Sequence, residues 1–231
     1  MLIASIHADR PSSPSPLTII TFYAGSSHKP FEIHRHSLTS KSTYFKQMFV
    51  HGQEPTAEQT TYPDLDEYGF ALFVRWLYGG ELHGPKDFHS FQHYMSLYVL
   101  SKRFQIEALS NNVMDLCRAY YRLGNMTAPA YRIEYIYTFT KTPNHMRNFL
   151  ITTAAYRALC EAPVGPGEHL SDSMKELIGK GGDVSLDFAE ALIKLNKNGI
   201  VDVRRGSNCT FHEHSDGKYC QALGMEPYEN A

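Results

Sequence analysis

The residues best equipped for chemistry lie late in the chain, in Cys209-Thr-Phe-His212-Glu-His214-Ser-Asp-Gly-Lys-Tyr-Cys220. Two thiols and two imidazoles fall within twelve residues. Zinc takes four nitrogen or sulfur ligands in a tetrahedron, and a set supplying all four leaves no open position, so such an ion would be structural. Asp216-Gly217 is a turn signal that carries Cys220 back toward Cys209 and His212. Cys209, His212, His214 and Cys220 are therefore the candidate metal ligands, with structural zinc the candidate cofactor. The spacing differs from that of common zinc fingers, and a single residue separates the two histidines. A metal held by only one of them, and a solvated tail without metal, stand as the alternatives.

Other reactive residue types read more plainly. Most of the twelve histidines fall in loops or on polar faces without an adjoining nucleophile. His34 and His36 read as framework residues at a strand-to-helix corner. Asp64, Asp66 and Glu67 cluster, and Asp66 as a helix cap accounts for them. Gly79-Gly80 and Gly179-Lys-Gly-Gly182 lack the spacing that cradles a phosphate. Cys117 falls at helical spacing and reads as core. Arg204-Arg205 with Lys194 and Lys197 make a small basic patch without interleaved aromatics, which reads as a solvated helix end. The expectation is a protein with no catalytic residues and no enzyme activity.

Composition points the same way. The chain has 231 residues, 42% hydrophobic, 20% charged and 13% aromatic, with net charge -2, so it is expected to fold and shows no basic stripe for nucleic acid. No apolar stretch approaches the roughly 20 residues that span a bilayer, and Leu2–Ile6 is too short for a secretory signal. An intracellular protein, cytoplasmic or nuclear, is expected, with its four cysteines as thiols or metal ligands.

The elements that must position these groups follow from periodicity. Arg10–Pro16 is rich in proline and serine and predicts a disordered arm over 1–14. Leu17–Tyr23, a turn at Ala24–His28 and Pro30–His34 predict a β-hairpin. Ser42 and Asp66 are placed to cap helices. Helical spacing recurs in Phe70, Phe73, Val74 and Leu77, in Phe91, Tyr94, Met95 and Tyr98, and in Leu109, Val113, Leu116, Cys117 and Tyr120. Thr60–Tyr62 and Glu81–His83 are candidate short strands. Helical stripes continue through Ile133, Ile136 and Tyr137, then Phe149, Thr153, Tyr156 and Cys160, and finally Phe188, Ala191, Leu192 and Leu195. An α+β fold is expected over 15–123, a small sheet packed with α-helices, followed by a helical extension over 124–200 and a Cys/His tail over 201–231.

Four segments in this order, Phe31-Glu-Ile-His-Arg-His-Ser-Leu38, Ser42-Thr-Tyr-Phe-Lys-Gln-Met-Phe49, Phe70-x-x-Phe-x-x-Trp-Leu-Tyr-Gly79 and Tyr98-Val-Leu-Ser-Lys-Arg-Phe104, resemble the BTB/POZ domain. The layout with a helical tail is similar to the stand-alone BTB proteins of filamentous fungi. That resemblance implies a protein-protein interaction module: a homodimer, or an adaptor that docks partners for a cullin-type ubiquitin ligase or for transcriptional regulation. A small structural zinc protein or a nucleic-acid-associated regulator is the alternative. Two positions depart from what the resemblance implies. Arg35 matches the basic residue of a charged pair in the family, yet Pro16 stands where its acidic partner is expected. Glu54 matches a cullin-contacting glutamate, yet Gly52 stands where an apolar residue is expected, and one anchored hydrophobe is worth about 1.5 to 3 kcal/mol.

Overall fold

A run rich in β-branched and aromatic residues sets the first strands. Strand β1 (Ile19–Ala24) buries Ile20, Phe22 and Ala24 on one face, as a period of two requires, and pairs antiparallel with β2 (Lys29–His34). The register runs from Ile19 opposite His34 to Ala24 opposite Lys29. The computed structural model describes residues 18–50, 54–141, 143–161, 165, 167–215, 217 and 220. The expected N-terminal arm, together with Pro16, Leu17, Gly52 and Asp216, lies outside the described residues.

Helix α1 (Arg35–Lys41) leads into α2 (Thr43–Met48), which Ser42 caps by accepting the Phe45 amide at 3.1 Å. Helix α3 (Ala57–Thr60) is one turn held by a Thr56/Gln59 capping box. It delivers β3 (Thr61–Tyr62), which joins β1 in parallel, so the sheet order is β2-β1-β3. Asp66 caps α4 (Glu67–Leu77) through the Gly69 amide at 2.8 Å, as expected. Gly79, at φ +81°, follows in the left-handed conformation that ends helices cheaply. Glu81–His83 is not a strand: the Glu81 carbonyl instead accepts from Arg75 Nε at 2.8 Å. A neighbouring guanidinium satisfies the acceptor a sheet partner would have used.

The chain divides into two compact units. The first takes the described residues up to Leu82 together with Arg103–Ile106. Its core is aromatic. Phe104 is fully buried with Phe45 at 4.7 Å, Tyr62 at 5.3 Å and Phe73 at 5.5 Å between ring centroids, in the tilted and edge-on arrangements that ring quadrupoles favour. Ser42 joins this core by donating to the Phe104 carbonyl at 2.6 Å.

The second unit takes His83–Lys102 and the described residues from Glu107 onward. It is built from α5 (Phe88–Arg103, bar its last residue), α6 (Glu107–Leu123), α7 (Ala130–Phe139), α8 (His145–Cys160), α9 (Asp172–Gly179) and α10 (Asp183–Asn198). The expected stripes are largely buried, at Phe91, Met95, Leu109, Val113, Cys117, Ile133, Ile136, Phe149 and Phe188, whereas Leu116, Tyr120, Tyr137, Tyr156 and Leu192 are half-buried and Cys160, at the end of α8, is exposed. Helix α9 has only two buried hydrophobes, Met174 and Leu177, too few for a periodic signal, although Ser171 does cap it. Arg132, 1% exposed, lies against the rings of Phe91 at 4.0 Å and Phe88 at 4.4 Å and donates to Tyr121 Oη at 2.9 Å. Aromatic faces and a hydroxyl take the place of a carboxylate there.

Candidate metal centre

The tail is ordered by a helix that precedes it by about ninety residues. Helix α6 shows Leu109, Val113 and Cys117 to the core and carries Glu107, Asn111, Asp115 and Arg118 on another stripe, at i, i+4, i+8 and i+11. All four meet the tail, in reverse chain order. Glu107 accepts the Ser215 amide at 3.1 Å. Asn111 accepts the Glu213 amide at 2.8 Å and donates to the Glu213 carbonyl at 3.0 Å. Asp115 Oδ1 lies 2.8 Å from His212 Nε2. Arg118 donates to Asn208 Oδ1 at 2.6 Å and to the Gly206 carbonyl at 3.2 Å.

Packing reinforces these rungs. Asn208–Phe211 is a 3-10 turn whose Phe211 is buried against Phe149 of α8, at 5.6 Å and nearly edge-on, with the Arg118 guanidinium 4.6 Å from its ring. Lys102 pairs with Glu213. Arg204, expected in a solvated basic patch, is instead 6% exposed, with Asp202 at 2.8 Å and the Met126 carbonyl at 2.8 Å. Arg205 remains exposed, and Lys194 pairs with Glu190 on the surface of α10.

On this support Cys209, His214 and Cys220 converge, each offering a ligand atom within 4.8 Å of the other two. Cys209 Sγ is 3.2 Å from His214 Nε2, and Cys220 Sγ is 3.9 Å from the same nitrogen. His212, the fourth candidate, touches the set at one edge: its Nδ1 is 3.0 Å from Cys220 Sγ. A turn makes the return of Cys220 possible, since Gly217, at φ +71°, donates its amide to the His214 carbonyl at 3.0 Å. Desolvation, and then the neighbouring Cys209 sulfur, push the Cys220 thiol above its ordinary value. A divalent cation would reverse that balance, because thiolate is the form that binds metal. Two thiolates and imidazole nitrogens are a donor set suited to zinc.

The spacing of the tail alone pointed to these four residues. Asp115 was missed, because an aspartate on a polar helix face reads as solvated until its partner is placed. Several other singled-out residues have structural partners. Asp64 pairs with Arg103, Glu67 accepts from Ser27 Oγ at 2.8 Å, and His34 Nδ1 is 2.7 Å from Tyr78 Oη. His36 and Glu54 are exposed. Arg35, 5% exposed, donates to the Phe49 carbonyl at 2.7 Å and lies 4.6 Å from the Phe49 ring.

A three-stranded sheet with packed helices, entered by a β-hairpin, is a small α+β architecture, and comparison with protein families places it. The family model for the BTB/POZ domain matches residues 15–120, so this part of the chain is a BTB/POZ domain, a protein-protein interaction module. Among curated proteins none matches the chain. No helix among the described residues is long and apolar enough to cross a membrane.

Proposed function

We propose that the chain works as a docking module that associates with a second copy of itself, and that it serves as an adaptor or scaffold for a ubiquitin ligase or a transcriptional regulator. The observation that carries this reading is the BTB/POZ domain over 15–120. A surface feature adds to it: on the outer face of β1, Ile19 and Tyr23 are 51% and 39% exposed. Large apolar side chains on the solvent face of a sheet gain from being covered.

Light scattering across a concentration series tests self-association. A mass that rises toward the dimer, and that Ile19→Asp returns to the monomer, supports it. A strict monomer for both chains would sink it. The adaptor role is tested separately with a purified cullin amino-terminal domain, comparing wild type with Glu54→Ala; absence of binding by either removes the cullin branch.

A second reading, favoured by the convergence of Cys209, His214 and Cys220, is a structural zinc ion in the tail. Elemental analysis is expected to find one zinc per chain, lost in Cys209→Ser. Protein purified without chelator and free of zinc would remove this reading.

A further inference from the structure

We infer that Asp115 is a positioning residue for that ion: its carboxylate holds His212 so that Nδ1 completes the tetrahedron begun by Cys209, His214 and Cys220. The inference rests on the tail holding zinc and adds what the ligand spacing cannot supply, the group that aims the fourth candidate ligand.

Distances make the case. With zinc-sulfur bonds of about 2.3 Å and zinc-nitrogen bonds of about 2.0 Å, the edges of a tetrahedral site are about 3.3 to 3.8 Å. The contacts among the candidate atoms, 3.2 Å from Cys209 Sγ to His214 Nε2, 3.9 Å from Cys220 Sγ to His214 Nε2 and 3.0 Å from His212 Nδ1 to Cys220 Sγ, fall close to that range. The two imidazole centroids are 6.2 Å apart, against about 5 Å when both nitrogens bind one ion at a tetrahedral angle. His212 therefore needs to swing inward by roughly 1 Å, a small movement for a ring whose far nitrogen is already held.

The holding group is of the right kind. A ligating histidine commonly donates its other N–H to a carboxylate, which fixes the tautomer and turns the free nitrogen toward the metal. His212 meets that description: Nε2 lies 2.8 Å from Asp115 Oδ1 while Nδ1 faces Cys220. The His212 side chain is 11% exposed and that of Asp115 31%, so the bond is partly shielded from water. Asp115 is also one rung of the ladder that Glu107, Asn111 and Arg118 make with the tail, so the helix sets its position before metal arrives. Binding displaces the thiol protons of Cys209 and Cys220 to solvent, and two thiolates neutralise the dication.

Competition against a chromophoric zinc chelator tests this in the full chain, with cobalt(II) spectra as a second readout. Asp115→Asn and Asp115→Ala are expected to weaken zinc about 10- to 100-fold while keeping one zinc per chain at saturation. His212→Ala should weaken it at least as much and change the cobalt ligand-field bands from the wild-type four-coordinate pattern. Asn111→Ala is the control for simple tethering, since it removes the adjacent rung without touching a ligand partner, and should leave affinity within about threefold. Wild type without zinc would overturn the metal reading itself. Zinc bound with unchanged affinity in both Asp115 variants, or an equal loss in Asn111→Ala, would overturn the role of Asp115 and leave the metal reading standing.

Discussion

Single side chains in this protein often serve two partners, and the cost of removing one follows from counting both. Ser42, 1% exposed, accepts the Phe45 amide as a helix cap and donates to the Phe104 carbonyl. Ser42→Ala removes a cap worth about 1 kcal/mol and strands a buried carbonyl at a similar cost, so a loss of about 2 kcal/mol is expected in urea unfolding. Asp64 answers to pH. Its hydrogen bonds from Arg103 hold its carboxyl below the usual carboxylate value of 3.8. With the folded value depressed, the pair contributes fully above about 4 and its contribution disappears as pH falls through the folded value. Both side chains are at least one-third exposed or nearly so, at 44% and 33%, so the effect stays under about 1 kcal/mol. Comparing acid unfolding of wild type and Asp64→Asn checks it: the variant should lack this part of the acid-side decline, and identical curves would count against the pair.

At the scale of elements, α6 is the part with two jobs. Its apolar stripe of Leu109, Val113 and Cys117 builds the core of its unit, and its polar stripe of Glu107, Asn111, Asp115 and Arg118 reads the tail. Hydrogen bonds fix the tail's register, while the burial of Phe211 against Phe149 supplies hydrophobic energy. Phe211→Ala leaves a cavity beside Phe149 and removes the ring under the Arg118 guanidinium, at a cost of about 3 kcal/mol to tail docking. Limited trypsin digestion should then cut at Arg204 and Arg205 well before the helices of the same unit. A cleavage rate equal to wild type would mean that the hydrogen-bonded rungs suffice.

At the scale of the whole chain, the tail is integral to the second unit. A chain ended after Asn198 would leave Arg118, 2% exposed in the intact protein, without the tail carbonyls and the Asn208 side chain it now serves. It would also uncover Phe149. A loss of about 3 kcal/mol or more corresponds to a fall in melting temperature of roughly 6 to 12 °C for a protein of this size. Calorimetry of the two chains decides, and an unchanged melting temperature would show that the tail is dispensable. Metal should add to the same unit: zinc bound only by the folded tail stabilises it, and chelation or acidification that protonates the ligands reverses the gain.

How much of this was legible in the sequence depended on the range of the interaction. The hairpin, the caps at Ser42 and Asp66 and the buried stripes of α4 to α8 could be read directly, because backbone periodicity repeats every two or 3.6 residues and shows in the spacing of apolar residues. The BTB/POZ character of the first half and the four Cys/His candidates were equally local. The short α9 and the absence of a strand at Glu81–His83 were not, since two buried residues or one Arg75 contact decide them. Still less could spacing pair Asp115 with His212, 97 positions apart, or Glu107 with Ser215, 108 apart. The sequence by itself determined which residues are of metal-ligating type and where most of the helices lie. Only the tertiary structure decided that Cys209, His214 and Cys220 meet, that His212 stands at their edge, and that Asp115 is the group behind it, because a polar side chain acquires its role from whatever the fold brings against it.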